Sequence, residues 1–344
     1  MSNGSILARV AVLPLLVCGC ESKAGVKLQG AGASFPAPLY TKWFRDYKAA
    51  HSDVTVDYQS TGSGQGVKSM IDGTVDFGAS DAAMTEDEIA KVQRGIIMLP
   101  LTAGEIVLAF NIEGVNELKL SREAYAGIFL GKITKWTDPA IAKHNPSAKL
   151  PDRTINVVVR ADSSGTSYVF SNHLSAISPE FAKSPGTNKM PNWPVGTKAK
   201  GNEGVTASLK TTPGSIGYVE YGYAKNTGMP MALLENKEGS FVAPTTASGQ
   251  AALATVSLPE NLVAWAPDPP GKESYPIVTF TWLLCYKNSN DAKKLTALKD
   301  VIQYCLDKGQ ASSEELGYIP LPELIVAKVR AALDQMSAAA VASR

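Results

Sequence analysis

An α/β fold in two domains is the expectation for this sequence, and three observations carry it. Short apolar runs suited to buried strands alternate with segments of helical period. Several of these strand-like runs pass through a glycine- and hydroxyl-rich turn directly into a helix-like segment. The chain has 344 residues, 44% of them hydrophobic, which suits about two globular domains of roughly 100–200 residues and excludes a disordered or fibrous chain. With 33 basic and 32 acidic residues the formal net charge is +1, so no whole-molecule attraction to nucleic acid or anionic lipid is expected. A charged ligand must then be held by a local site.

Taken in order, residues 1–20 (MSNGSILARVAVLPLLVCGC) read as an export signal: one basic residue, Arg9, then an apolar run from Val10 to Val17, then small residues up to Cys20. The run is far shorter than the roughly 20 residues that span a bilayer. Val17-Cys18-Gly19-Cys20 resembles a bacterial lipobox, which implies lipidation of Cys20; a plain signal that discards both cysteines is the alternative. Without residues 1–19 the balance becomes 32 basic against 32 acidic.

Beyond the polar stretch Glu21–Lys27, Tyr40, Trp43, Phe44 and Tyr47 fall at i, i+3, i+4, i+7, one face of a helix. Val54–Tyr58 alternates like a half-buried strand, and Val75–Ala79 is another strand candidate. Ile106–Phe110, Ile155–Val159, Ile216–Val219 and Ile277–Leu284 read as buried strands. Phe170, His173, Leu174 and Ile177 make a second helical face, so His173 is expected to be a core histidine. Residues 185–204, rich in Gly, Pro, Asn and Lys, read as a long surface connection holding Trp193. Leu298, Val301, Ile302 and Cys305 share one later helical face, and Ile325, Val329, Leu333 and Met336 another. The small, polar tail 337–344 is expected to fray.

Chemistry concentrates in three helix entrances. Gly30–Pro38 (GAGASFPAP) leads into the first helix, with Pro36 suited to its first turn and Ser34 to its N-cap. Ser60–Gly66 (STGSGQG) precedes a helix through Val67, Met70 and Ile71, and Arg160–Ser167 (RADSSGTS) opens the helix holding Phe170. Any one of these is an ordinary capped helix. Three brought to one point would make an oxyanion site, because helix starts offer unpaired N–H groups and about half a positive charge. The chain lacks the P-loop, dinucleotide and nucleophile-elbow spacings, and it lacks C-x-x-C, H-E-x-x-H and acidic calcium loops. With three scattered histidines, no metal or other cofactor is expected.

Six ordered segments, GAGASFPAPLY (30–40), YQSTGSGQGVK (58–68), VDFGASDA (75–82), FLGKITKWTDPAIAKHNP (129–146), RADSSGTSYVF (160–170) and GSIGYVEYGYAK (214–225), resemble the periplasmic phosphate-binding proteins of phosphate ABC transporters, the PstS type. The similarity runs from about residue 28 to the segment ELGYIPLP at 315–322. It implies the two-lobed periplasmic-binding-protein fold of type II, with one phosphate in the cleft between the lobes. Lobe one is expected from 28–102 plus 274–336, and lobe two from 103–273. The resemblance implies that Ser34 and Phe35 supply a hydroxyl and an N–H, Ser63 a hydroxyl and an N–H, and Asp81 a carboxylate acceptor. Arg160 would supply a guanidinium, with Ser164, Gly165 and Thr166 giving helix-start N–H groups and two hydroxyls, and Asp162 holding Arg160. Ser34 stands where threonine is common, Gly64 where a second serine is often found, and Ser163 where glycine is often found; the set of hydroxyls and N–H groups survives all three departures.

Asp81 is the residue expected to make this set selective, the alternative being a capping or turn residue after the Val75–Ala79 strand. A carboxylate repels an anion unless the ligand has a proton to donate, which phosphate has near neutral pH and sulfate lacks. The implied partners are inorganic phosphate and the transmembrane permease subunits of an ABC importer, for a monomer on the outer side of the cytoplasmic membrane, attached at most by a lipid. Two alternatives compete: a binder of another tetrahedral oxyanion such as sulfate or molybdate, which Asp81 opposes, and a phosphate-ester hydrolase with Ser63 or Ser164 as nucleophile, which lacks a histidine near any of the three loops. With Cys18 and Cys20 assigned to the signal, Cys285 and Cys305 are left in an oxidising compartment, so a disulfide between them is the expectation and two buried free thiols the alternative.

Overall fold

The computed structural model describes residues 25–339, so the segment 1–20 expected to be an export signal, with Cys20, lies outside the described residues. The chain opens with β1 (Val26–Gly32), α1 (Ala37–Ala50), β2 (Val54–Ser60), α2 (Ser63–Asp72), β3 (Phe77–Ser80), α3 (Glu86–Ala90) and the long β4 (Ile96–Asn111). It continues through β5 (Lys119–Leu120), α4 (Arg122–Phe129), α5 (Pro139–Ala142), β6 (Asn156–Arg160), α6 (Gly165–Ile177), α7 (Pro179–Lys183), β7 (Thr197–Ala199), α8 (Gly201–Thr211) and β8 (Ser215–Glu220). Then come α9 (Tyr221–Asn226), β9 (Leu233–Glu235), β10 (Phe241–Val242), α10 (Thr246–Leu253) and β11 (Val278–Tyr286). The chain closes with β12 (Asn288–Ser289), α11 (Ala292–Asp307), a 3-10 turn at Gly309–Ser312, α12 (Ser313–Leu316), α13 (Glu323–Leu333) and β13 (Ser337–Ala338).

Eight strands run in the order β2-β1-β3-β11-β4-β8-β6-β7. β4 is the element that joins two half-sheets: Ile96–Glu105 pairs with β11, and Ile106–Asn111 pairs with β8. All of β11 and all of β4 but Asn111 are buried, which explains why they read as unbroken apolar runs. In the first half-sheet β1 lies parallel between β2 and β3; in the second, β6 lies parallel between β8 and β7. The carboxyl ends of these parallel strands open into the turns that start α1, α2, α6 and α8. That end of an open α/β sheet is where ligands bind.

The helical faces read from the sequence are buried: Tyr40, Trp43, Phe44 and Tyr47 in α1, and Leu298, Val301, Ile302 and Cys305 in α11. His173 is a satisfied core residue, its Nδ1 2.6 Å from the Pro267 carbonyl and its Nε2 2.8 Å from the Tyr125 hydroxyl. Burial pushes its pKa down to about 4, so the ring is neutral. Trp193 packs among Phe129, Phe170, Phe181 and Tyr218.

Several expectations are corrected. The strand expected at 75–79 starts at Phe77, and the one at 106–110 is the second half of the longer β4. The connection 185–204 ends in β7 and the first turn of α8, because Thr197–Ala199 finds a partner edge in β6 that no local pattern reveals. Ser337 and Ala338 of the supposed frayed tail pair with Asn288 and Ser289. Cys285 and Cys305 are both free and buried, so the expected disulfide is absent. Cys285 sits on β11 opposite Phe77 and Ile97, and Cys305 on the apolar face of α11; each fills the core as a small apolar side chain. No helix among the described residues is long and apolar enough to cross a membrane.

Candidate functional site

The three helix entrances meet at one buried point, and a fourth joins them. Ser34, Ser63, Asp81, Arg160, Thr166 and Asn202 are all buried, none more than 5% exposed. Asp81 follows β3 and stands at the centre. Its Oδ1 accepts from the Thr281 hydroxyl at 2.8 Å; the Ser63 and Thr166 hydroxyls lie 3.5 Å from Oδ2. Its N–H donates to Ser63 Oγ at 3.2 Å. Burial drives the Asp81 pKa up to about 7, against the pull of the Thr281, Thr166 and Ser63 hydroxyls and the Arg160 charge.

Arg160 ends β6 with its side chain 1% exposed. Nε and Nη2 donate to the two oxygens of Asp162 at 2.9 and 2.6 Å, a bidentate pair that fixes the guanidinium plane. Asp162 Oδ1 also accepts the Gly201 N–H at 3.0 Å. Burial is the largest single influence on Arg160 and opposes its charge, but the hydrogen bond to Asp162 together with the charges of Asp162 and Asp81 outweighs it and the pKa is raised; Asp162 is likewise desolvated, yet Arg160 and the Gly201 N–H together hold it below the usual carboxylate value. The third nitrogen, Nη1, is buried without a hydrogen-bond partner. Leaving such a donor unpaired costs roughly 1–3 kcal/mol or more for a charged group, so the site calls for an acceptor.

The helix starts approach closely because glycine allows it. Gly62, at φ +95°, places Ser63 at the head of α2, and a Cβ there would lie 2.5 Å from Asp162 Oδ2. A Cβ on Gly165 would lie 2.5 Å from Ser63 Oγ and 2.7 Å from Asp81 Oδ2, so only glycine lets the start of α6 reach Asp81. The Gly64 N–H donates to the Ser163 carbonyl at 2.9 Å, tying α2 to the loop before α6.

Not every residue takes the expected part. Ser164 caps α6: its Oγ accepts from Ser167 N–H at 3.1 Å, and its own N–H donates to the Lys189 carbonyl at 2.9 Å, so the expected free N–H is already in use. Ser34 does not cap α1, whose flanking residue is Pro36; its hydroxyl instead turns to Asn202. Phe35 buries its ring completely.

Sequence reasoning missed Asn202, Thr281 and a set of tyrosines. Tyr58, Tyr223 and Tyr318 donate their hydroxyls at 2.7 Å to the carbonyls of Ala33, Ser34 and Phe35 respectively. Three consecutive carbonyls are thereby pinned. Tyr58, Tyr223 and Tyr318 lie in segments singled out for other reasons, so their presence was legible and their role was not. Thr281 sits where the register of β11 against β4 shifts, opposite the stretch containing Pro100, whose missing N–H weakens the ladder. Such a bulge re-aims side chains, here towards Asp81.

Comparison with known proteins agrees with this architecture. The PBP superfamily domain matches residues 20–308. The phosphate-binding protein PstS of Pasteurella multocida is 41% identical over 309 residues, covering 88% of this chain and 89% of the relative. That of Methanocaldococcus jannaschii is 37% identical, covering 92% and 91%. Among solved structures, a high-affinity periplasmic phosphate-binding protein bound with phosphate superposes with a TM-score of 0.73 at 22% identity, over 89% of this chain and 93% of its own. A phosphate-binding protein from Stenotrophomonas maltophilia gives 0.70 at 23% identity, over 89% and 94%. Shared fold, ordered motifs and identity over nearly the whole chain place this protein in the PstS family of phosphate-binding proteins, within the PBP superfamily.

Proposed function

We propose that this protein captures inorganic phosphate outside the cytoplasmic membrane and delivers it to the permease of an ABC importer. The observation that carries the reading is the buried, unpartnered Nη1 of Arg160, whose charge acts on the Asp81 carboxylate that the Ser63 and Thr166 hydroxyls face. A tetrahedral oxyanion supplies the missing acceptor, and the hydroxyls and helix starts bind it without a large excess of positive charge. Phe35 and Gly165 contribute backbone N–H groups, Ser164 its remaining hydroxyl proton, and Asp162 orients Arg160. The Asp81 carboxylate accepts a hydrogen bond from the protonated oxygen of phosphate, which sulfate lacks, and so selects phosphate over sulfate. The molecule works as two lobes, 28–102 with 274–336 and 103–273, hinged where the chain crosses between them, within β4 and just before β11, and they close on the ligand by differential contacts. It acts as a monomer and not as an enzyme, exported by residues 1–20 and anchored, where lipidated, through Cys20.

Calorimetric titration of dialysed protein with phosphate, sulfate and molybdate, beside a phosphate-ester hydrolysis assay, tests this. One phosphate per chain and no turnover are expected. A stoichiometry of two, or turnover at enzymatic rates, overturns it.

A further inference from the structure

We propose that Asn202 is a positioning residue that makes the Ser34 hydroxyl an obligate donor to the bound oxyanion, and does so only while the two half-sheets are in contact. The inference rests on the phosphate reading above and deepens it. Ser34 lies in the loop after β1, in the first half-sheet; Asn202 lies in the first turn of α8, which packs on the second. The Asn202 Oδ1 accepts the Glu220 N–H at 2.9 Å. Only the amide oxygen can do so, which fixes the orientation of the group and turns Nδ2 towards Ser34.

Ser34 Oγ then accepts twice, from the Asn202 N–H at 3.1 Å and from Nδ2 at 2.9 Å. A serine hydroxyl has two lone pairs and one proton. Both lone pairs are taken, so Ser34 can only donate. Both residues are buried, at 1% and 0% exposure, and bulk water cannot substitute for the amide. A hydroxyl free to rotate either donates to or accepts from a ligand; one held by Asn202 is organised for an oxyanion in advance. The same Nδ2 lies 3.4 Å from Thr166 Oγ1, so one amide faces two hydroxyls of the site. Separation of the half-sheets breaks the Asn202–Ser34 contacts and releases the Ser34 hydroxyl, which couples donation to closure.

A double-mutant cycle tests the assignment, with phosphate dissociation constants measured by calorimetry for wild type, Ser34→Ala, Asn202→Ala and the double variant. Each single change is expected to weaken phosphate binding about tenfold, and the double variant to bind within about threefold of Ser34→Ala, because Asn202 acts through that hydroxyl. Single effects that multiply in the double variant overturn the proposal. Asn202→Ala leaves the Glu220 N–H unpaired; should it fail to fold, Asn202→Asp retains an acceptor for that N–H while taking the Ser34 proton. The loss caused by Asn202→Asp must shrink at least about fivefold in a Ser34→Ala background; an equal loss in both backgrounds assigns the effect to charge alone and overturns the proposal. Wild-type protein that does not bind phosphate overturns the functional reading as well, whereas phosphate binding with independent single effects overturns only the role of Asn202.

Discussion

The two sides of the site are built on different chemistry. On the first half-sheet, the loops after β1, β2 and β3 bring Ser34, Ser63 and Asp81: hydroxyls, helix starts and one carboxylate, with no cation. On the second, β6 ends in Arg160, held by Asp162, beside the start of α6. In the proposed function the first side carries the group that would reject a ligand, and the second the charge that would attract one. The Asp81 carboxylate is tolerable because Arg160 and three hydroxyls face it, and Nη1 of Arg160 has no partner without a ligand. The proposed sources of strength and selectivity thus lie on opposite walls.

The largest expected effect is on the attracting side. Arg160→Ala should weaken phosphate binding by about 2–5 kcal/mol, the usual consequence of removing a buried charged partner. The fold should survive, because Asp162 keeps the Gly201 N–H. Calorimetry with a thermal melt reads both, and near-normal affinity would remove Arg160 from the site.

On the rejecting side, Asp81→Asn substitutes a group that can also donate. Sulfate binding should rise relative to phosphate by about tenfold, roughly 1.4 kcal/mol. Competition titrations measure the ratio, and an unchanged ratio would reduce Asp81 to a structural turn residue.

The same residue gives a pH signature without ligand. Its pKa is raised in the fold from 3.8 to about 7, so between these values the folded state holds more protons than the unfolded. Its contribution to stability is fully present below about 3.8 and lost as pH rises through about 7. His173, lowered from 6.5 to about 4 by burial, works in the opposite sense and destabilises as pH falls. The difference between wild-type and Asp81→Asn melting curves isolates Asp81: the variant should gain relative stability steadily from pH 4 to 8. Parallel curves would contradict the burial of an ionisable Asp81.

The smallest effect concerns the pinned loop of the first side. Tyr223→Phe removes one hydroxyl from the Ser34 carbonyl and should cost about 1 kcal/mol of stability with little change in affinity, since Tyr58 and Tyr318 still hold the neighbouring carbonyls. Denaturant melts and titration check it; a large loss of affinity with unchanged stability would give Tyr223 a direct part in binding.

By itself the sequence determined what local physics encodes. Apolar spacing marked α1 and α11, capping residues and glycine marked the starts of α2 and α6, and a histidine on an apolar stripe read as core. It also held the ordered motifs from which Ser34, Ser63, Asp81 and Arg160 were picked out. What only the tertiary structure decided was which backbone and side-chain groups would be used on one another. Ser164 gives its N–H to Lys189, Thr281 reaches Asp81 from a bulge, and β7 forms because β6 offers an edge. The thiols of Cys285 and Cys305 stay apart because each is already packed on its own element. Asn202 meets Ser34 across 168 residues of chain. Local patterns record a residue's backbone preference and polarity; the partner that completes a hydrogen bond is chosen by strand order, and strand order is a property of the whole chain.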